Sequence, residues 1–342
     1  MKQTITTLLL LLMAITAKAQ IKAVDRADGS PVQYASVFLA DGTCVGTSGK
    51  DGTLPLPKGY SGRVTVQHIN YGSHTFSTDT VKGGTVAMSS YTYSVPEAVC
   101  TYARPDYMVI SAYARNYHMA DSVPVSFLEG MYDFYIPLGK GRARRKIRWA
   151  REVFRTDLFG DDGDLFLYIN TMPKMNGKTI LGYFKSEGWL NDSTGSYVIG
   201  HGIRGLVAGV KRDTAMKTLE VYYDSIFTAD DFKFGLFGLS MRVTDMAKSE
   251  TYHADDSLPK LKDLLRTNHY LCHYDRFHGK KKPEVRVDEF DELFVTGISY
   301  ASKQDMKAAL KDKTYTRQPI PDGIPPLSQP LADAIERMKP RK

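Results

Sequence analysis

The chain has 342 residues, 42% hydrophobic and 24% charged, with a formal net charge of +7. Gly and Pro, 28 and 16, stand near average usage, so disordered, collagen-like and low-complexity classes are excluded. The length suits two domains with real cores and falls short of a transport barrel of about 22 strands with its plug.

Residues 1–19 read as a secretory signal peptide. Lys2 supplies the positive start, residues 4–16 form an apolar stretch around Leu8–Leu12, and Ala17-Lys18-Ala19 is a small-x-small cleavage site. The stretch is shorter than the roughly 20 apolar residues of a membrane-spanning helix, and no Cys follows the cleavage site to carry a lipid. The expected mature chain begins at Gln20 and is exported, periplasmic or outer-membrane associated in a Gram-negative type envelope. Three cysteines, Cys44, Cys100 and Cys272, leave at least one thiol unbridged, so the fold relies on its core rather than on disulfides. A Cys44–Cys100 bridge is left open.

Residues 20–104 read as about seven short strands separated by turn signals, the pattern of an all-β sandwich. Val32, Tyr34, Ser36 and Phe38 alternate along one strand; residues 43–47 are expected to form a hairpin with 53–56 through Ser48-Gly49-Lys50-Asp51-Gly52. Residues 63–68, 73–78, 85–88 and 98–102 complete the set.

The run Val24-Asp25, Asp28-Gly29-Ser30-Pro31-Val32-Gln33-Tyr34-Ala35-Ser36-Val37-Phe38-Leu39, then Gly46-Thr47 and Lys50-Asp51-Gly52-Thr53-Leu54, resembles the carboxypeptidase regulatory-like domain. Asn70-Tyr71-Gly72 and Pro96-Glu97-Ala98-Val99-Cys100-Thr101 continue the likeness. The resemblance implies a small prealbumin-like sandwich, common in exported envelope proteins, and carries no catalytic residue. The zinc ligands of the peptidases lie in a separate domain, and neither H-x-x-E nor H-E-x-x-H occurs in this chain.

Residues 105–315 read as a second domain, α+β and dominated by antiparallel sheet. Tyr107, Val109, Ser111, Tyr113, Arg115 and Tyr117 alternate on its first strand, and residues 123–138 hold two apolar-aromatic runs around Glu129-Gly130. Further strands are expected at 164–169, 180–185, 204–210, 218–223, 231–237, 240–244 and 292–300. Two helices are expected: residues 258–274, from the spacing of Leu261, Leu264, Leu265, Leu271 and Cys272, and residues 302–310, from an N-cap at Ser302. Residues 316–342 form a Pro-rich tail with a short amphipathic stretch at Leu331, Ile335 and Met338.

Residues 140–155 carry eight basic residues against one acid, a local +7 that equals the charge of the whole chain. Arg142, Arg144, Arg145, Lys146, Arg148 and Arg151 are the candidate anion-binding patch. Nucleic acid is not a partner of an exported protein, so envelope phosphates or acidic glycans are the fitting anions. The plainer reading is a solvated strand face with Ile147, Trp149 and Val153 inward. His269, His273 and Asp275 are the densest candidate metal ligands, with His269 and His273 at the i, i+4 spacing of one helix face. Ordinary helix-end chemistry explains the same residues, and no metal or other cofactor is expected. Asp161-Asp162-Gly163-Asp164 lacks an EF-hand's ligand spacing, Gly177-Lys178-Thr179 lacks the first P-loop glycine, and no G-x-S-x-G occurs.

Tyr and Phe number 21 and 15 and crowd into residues 107–135 and 222–237. They read either as core or as the apolar concave face of a curved sheet that holds a ligand; the helices and polar tail argue against an outer-membrane barrel. The leading expectation is therefore a non-enzymatic binding protein whose partner is an envelope protein, glycan or lipid. A lipid or lipoprotein carrier is the alternative, and a metal-dependent enzyme at His269/His273 the second alternative.

Overall fold

The computed structural model describes residues 20–81, 84–91, 95, 104–155, 173–175, 177–180, 207–214, 216–226, 233–236, 239–254, 259–277 and 284–340. The signal-peptide stretch, residues 98–102 with Cys100, and the expected strand at 164–169 lie outside the described residues. The chain divides into two compact units, Met1–Tyr91 with Pro325–Leu331, and Thr92–Ile324 with Ala332–Lys342. It is mainly β, with large antiparallel sheets and, among the described residues, two α-helices.

The first unit contains β1 (Lys22–Asp25), β2 (Ser36–Leu39), β3 (Cys44–Thr47), β4 (Arg63–His68), β5 (Tyr71–Ser77) and β6 (Thr85–Met88). Strands β3-β2-β4-β5 form an antiparallel sheet, and β1 pairs in parallel with β6. Val37, Val64 and Val66 from the first and Ala23, Val86 and Met88 from the second share one core. The expected strand around residue 34 is interrupted there: Tyr34 has φ 57°, and the buried Ser48 hydroxyl accepts from the Ala35 N–H (2.9 Å) and donates to the Val32 carbonyl (2.6 Å). The expected hairpin between 43–47 and 53–56 does not form. β3 pairs with β2 instead, and Thr53 bridges to Lys22. The Asp51 carboxylate accepts from the Thr53 N–H (3.1 Å) and from Lys22 (2.7 Å), which turns the chain toward β1. Within the same unit the Ser328 N–H donates to Gln67 Oε1 on β4.

The second unit is built on a ten-stranded sheet with the order β10-β11-β13-β14-β15-β7-β8-β9-β16, in which β12 also pairs with β13. Its long strands are β7 (Tyr107–Ala120), β8 (Val123–Pro137), β9 (Arg144–Phe154), β13 (Leu239–His253), β14 (Leu264–Phe277) and β15 (Val285–Ala301). The shorter ones are β10 (Val207–Asp213), β11 (Thr218–Ile226), β12 (Lys233–Leu236) and β16 (Lys339–Pro340). The two apolar runs around Gly130 are one continuous strand of 15 residues. Gly130 is required there because a Cβ would lie 2.4 Å from the Trp149 carbonyl oxygen on β9.

One expected helix is corrected. Residues 258–274 hold a single 3-10 turn, Leu261–Asp263, followed by β14. Its leucines satisfy a helical period and a two-sided strand equally, and β14 lies inside the sheet between β13 and β15, where ladder bonds and cover on both faces decide for the strand. The other expected helix forms as α1 (Lys303–Lys311): Ser302 Oγ accepts from the Asp305 N–H, and the Asp305 carboxylate accepts from the Ser302 N–H, both at 3.2 Å. The second helix is α2 (Gln329–Glu336), with Leu331 and Ile335 buried as the amphipathic spacing requires.

Candidate functional site

Ladder register fixes what each face of the large sheet presents. One row across it reads Tyr223, Lys248, His269, Asp291, Asn116 and Leu128, each paired with the next. The neighbouring row on the same face reads Val221, Glu250, Thr267, Leu293, Ala114 and Gly130. Beyond that, Leu219, Tyr252, Leu264, Val295, Ala112, Tyr132 and Phe134 belong to one packed apolar cluster. On the opposite side of the first row lie Glu289 and His118, paired across the ladder, and then His273. The face therefore runs along its strands from apolar to polar, because side chains alternate strictly and one residue's step never mixes the two faces.

A cavity of about 540 Å³ lies where that face changes character. All six residues of the first row line it, with Glu250, Thr267, Leu293 and Ala114 of the second. Its other wall comes from residues 173–175 and 177–180. Arg145 on β9 donates to the Pro173 carbonyl (2.7 Å), a Cβ on Gly177 would meet Ile136 of β8 at 2.8 Å, and the Ile180 N–H donates to the Glu250 carboxylate on β13 (2.7 Å). The segment thus crosses the sheet from β9 to β13 as a strap. Pro173, Lys174, Met175, Gly177, Lys178 and Thr179 line the cavity from it.

Several of the charged groups around the cavity are paired, and Lys174 and Lys178 bring two further cations from the strap. Buried Arg115 bonds to buried Glu292, and its guanidinium lies 5.3 Å from the Phe294 ring centroid. Lys248 lies 3.4 Å from Glu250, and Glu250 also accepts from the Tyr252 hydroxyl (2.6 Å). Burial first, and the Glu250 charge second, push the Tyr252 phenol well above its ordinary pKa, so it stays a donor. Asp291 accepts from His269 (3.2 Å) and from the Asn116 amide.

The proposed ligand cluster is rearranged by the strand. His269 and His273 do share a face, but four residues of extended chain separate them by about 13 Å along the strand, against about 6 Å on a helix. They cannot hold one ion together. His269 lines the cavity, whereas His273 is fully buried with Nδ1 on Asp275 (2.9 Å) and Nε2 on Glu289 (3.1 Å). Burial pulls the His273 pKa down, and the hydrogen bonds to Asp275 and Glu289 outweigh it, raising the value to about 9. Among the described residues no three His, Cys, Asp or Glu side chains are arranged to hold a metal.

The basic strand divides between faces and partners. Lys146 pairs with Asp312 (2.7 Å), Arg148 with Asp133 (3.9 Å) and Arg151 with Glu129 (3.3 Å), while Arg145 holds the strap. Arg142 and Arg144 are exposed. Trp149 and Val153 are buried, as the plainer sequence reading has it, but Ile147 is only half-buried: the ladder bulges between the Met131–Trp149 and Tyr132–Ile147 pairs and turns Ile147 to the other face. Asn116, Glu250, Asp291 and Glu292 were not among the residues singled out from the sequence. The available signal was the density of polar residues inside apolar strands, Arg115-Asn116 on β7 and Asp291-Glu292 on β15.

Comparison with known proteins adds little to the site. No protein-family model and no curated protein sequence matches the chain. A solved chain described under lipid–protein interactions in lipovitellin is similar at 11% identity and a TM-score of 0.33. The alignment covers 58% of this chain and 26% of that one. Among the described residues no helix is long and apolar enough to cross a membrane.

Proposed function

We propose that this chain is an exported, non-enzymatic binding protein of the cell envelope, with an N-terminal unit of the carboxypeptidase regulatory-like kind. Its larger unit holds an amphipathic, lipid-like ligand under the strap. Export rests on the signal-peptide pattern of residues 1–19. Ligand binding rests on one observation: the 540 Å³ cavity sits where a single sheet face passes from apolar to polar rows. Its volume falls within the roughly 300–1,000 Å³ of small-molecule sites. The apolar rows themselves are packed, so the cavity suits a ligand with a modest apolar body and a polar head rather than several long acyl chains.

The test is native mass spectrometry of residues 20–342, expressed with export and purified without detergent. Extra mass released by organic solvent, and lost in Thr267→Trp, which fills the cavity floor, is the expected outcome. A bare mass, together with no uptake of added single-chain amphiphiles, overturns the reading.

A further inference from the structure

The basic run divides into an engaged part and a free part. Arg145 holds the strap, and Lys146, Arg148 and Arg151 face Asp312, Asp133 and Glu129. Lys140, Arg142 and Arg144 are exposed and have no carboxylate partner among the described residues. All three stand at the turn between Pro137, the last residue of β8, and Arg144, the first of β9.

The same turn opens with Leu138, which is 49% exposed. Among the described large hydrophobic residues only Tyr315 and Ile320 are as open to solvent. A lone exposed leucine is ordinary surface, but this one shares its turn with three cations, and no acid lies between Leu138 and Arg144. Apart from its chain neighbours, no described atom lies within 4 Å of the place a Cβ on Gly139 would take, so the turn stands clear there. Asp106 lies beside it: its carbonyl accepts from the Leu138 N–H (3.0 Å), and its carboxylate accepts from the Lys303 N–H at the start of α1 (2.7 Å). Exposed Arg104 lies two residues before Asp106, so the surroundings do not cancel the charge of the turn.

We infer that this turn docks the protein on an anionic lipid bilayer, with Leu138 entering the boundary between headgroups and acyl chains and Lys140, Arg142 and Arg144 against lipid phosphates. The cations alone would suit any polyanion, an acidic glycan included. The leucine gains a partner only where an apolar phase lies beneath the anions, and a bilayer supplies both. Long basic stems lie along that apolar boundary while their charged ends stay at the phosphates. Docking of this kind needs no ligand in the cavity.

The test is flotation of residues 20–342 with vesicles of phosphatidylcholine and phosphatidylglycerol, and with vesicles of phosphatidylcholine alone. Binding is expected only where phosphatidylglycerol is present, and it is expected to weaken as salt screens the surface. Near an anionic surface each Lys or Arg is worth roughly fivefold in affinity, so Lys140→Gln/Arg142→Gln/Arg144→Gln is expected to weaken binding about a hundredfold. Lys58→Gln/Arg337→Gln/Lys339→Gln removes the same charge from exposed positions off the turn. Because screening confines the attraction to charges near the surface, that control is expected to cost less than about threefold. Leu138→Asn is expected to cost about fivefold, the share of a half-exposed leucine. All of these positions are exposed, so none of the variants disturbs the core. No binding to phosphatidylglycerol vesicles overturns the inference. Equal losses in the two triple variants overturn it too, since net charge alone would then account for the attraction. Binding unchanged in Leu138→Asn overturns the bilayer as partner and leaves a soluble polyanion in its place.

Discussion

Replacing His273 by Gln tests the polar end of the large sheet through the pH dependence of stability. In the folded chain the imidazole is fully buried between Asp275 and Glu289, and its pKa is raised to about 9; unfolded, it titrates near 6.5. A group whose folded pKa is raised stabilises the fold fully below its unfolded pKa and loses that contribution as pH climbs through the folded one. Linkage then makes the charged ring worth roughly 2–3 kcal/mol at pH 7, well under 1 kcal/mol at pH 9 and close to nothing at pH 10. Both tryptophans, Trp149 and Trp189, belong to the second unit, so urea unfolding followed by tryptophan fluorescence reports on it. Tyrosines and lysines also titrate toward pH 10, and the difference between wild type and His273→Gln removes their share. The gap in stability is expected to narrow by about 2–3 kcal/mol between pH 7 and pH 10. Parallel curves across that window would refute the doubly bonded, charged His273.

Two further outcomes follow from the same sheet. Gly130→Ala drives a Cβ to 2.4 Å from the Trp149 carbonyl and 3.1 Å from the Ala150 Cα, both backbone, so β8 and β9 must separate. The expected cost is roughly 2–3 kcal/mol, read as a fall of about 5–10 °C in the fluorescence-detected Tm; an unchanged Tm means the register there is different. Glu292→Ala strands the buried Arg115 guanidinium at a cost of about 3–5 kcal/mol, and the double variant Arg115→Met/Glu292→Leu is expected to recover most of it. A double-mutant cycle in urea measures the coupling, and additive single effects would sink the pairing.

Local sequence carried the elements whose signals are short-range. The strands at 63–68 and 85–88 lie where their alternation puts them, and α1 starts at the Ser302 cap, because a capping serine and a bounded alternating run act within a few residues. The basic stretch was legible as a strand with Trp149 and Val153 inward for the same reason, while Ile147, expected beside them, is turned to the other face by a bulge that alternation does not show. What failed was the segment 258–274. Its leucines fit both periods, and its place between β13 and β15 is settled only when distant strands close their ladders.

The candidate cavity shows the same division. Composition and alternation point to strands at residues 107–117, 123–138 and 292–300, whereas the first half of the last strand, with Asp291, came only with the structure. Which of those residues meet is a matter of register between strands more than 150 positions apart, such as Asn116 with Asp291. Pairing of that range costs loop entropy and is decided by the sum of all ladder bonds and buried faces, not by any one segment. His269 was legible as a polar residue of note. That it faces a cavity beside Asp291 and lies far from His273 was decided by the tertiary structure alone, since an extended strand rises about 3.4 Å per residue where a helix rises 1.5 Å.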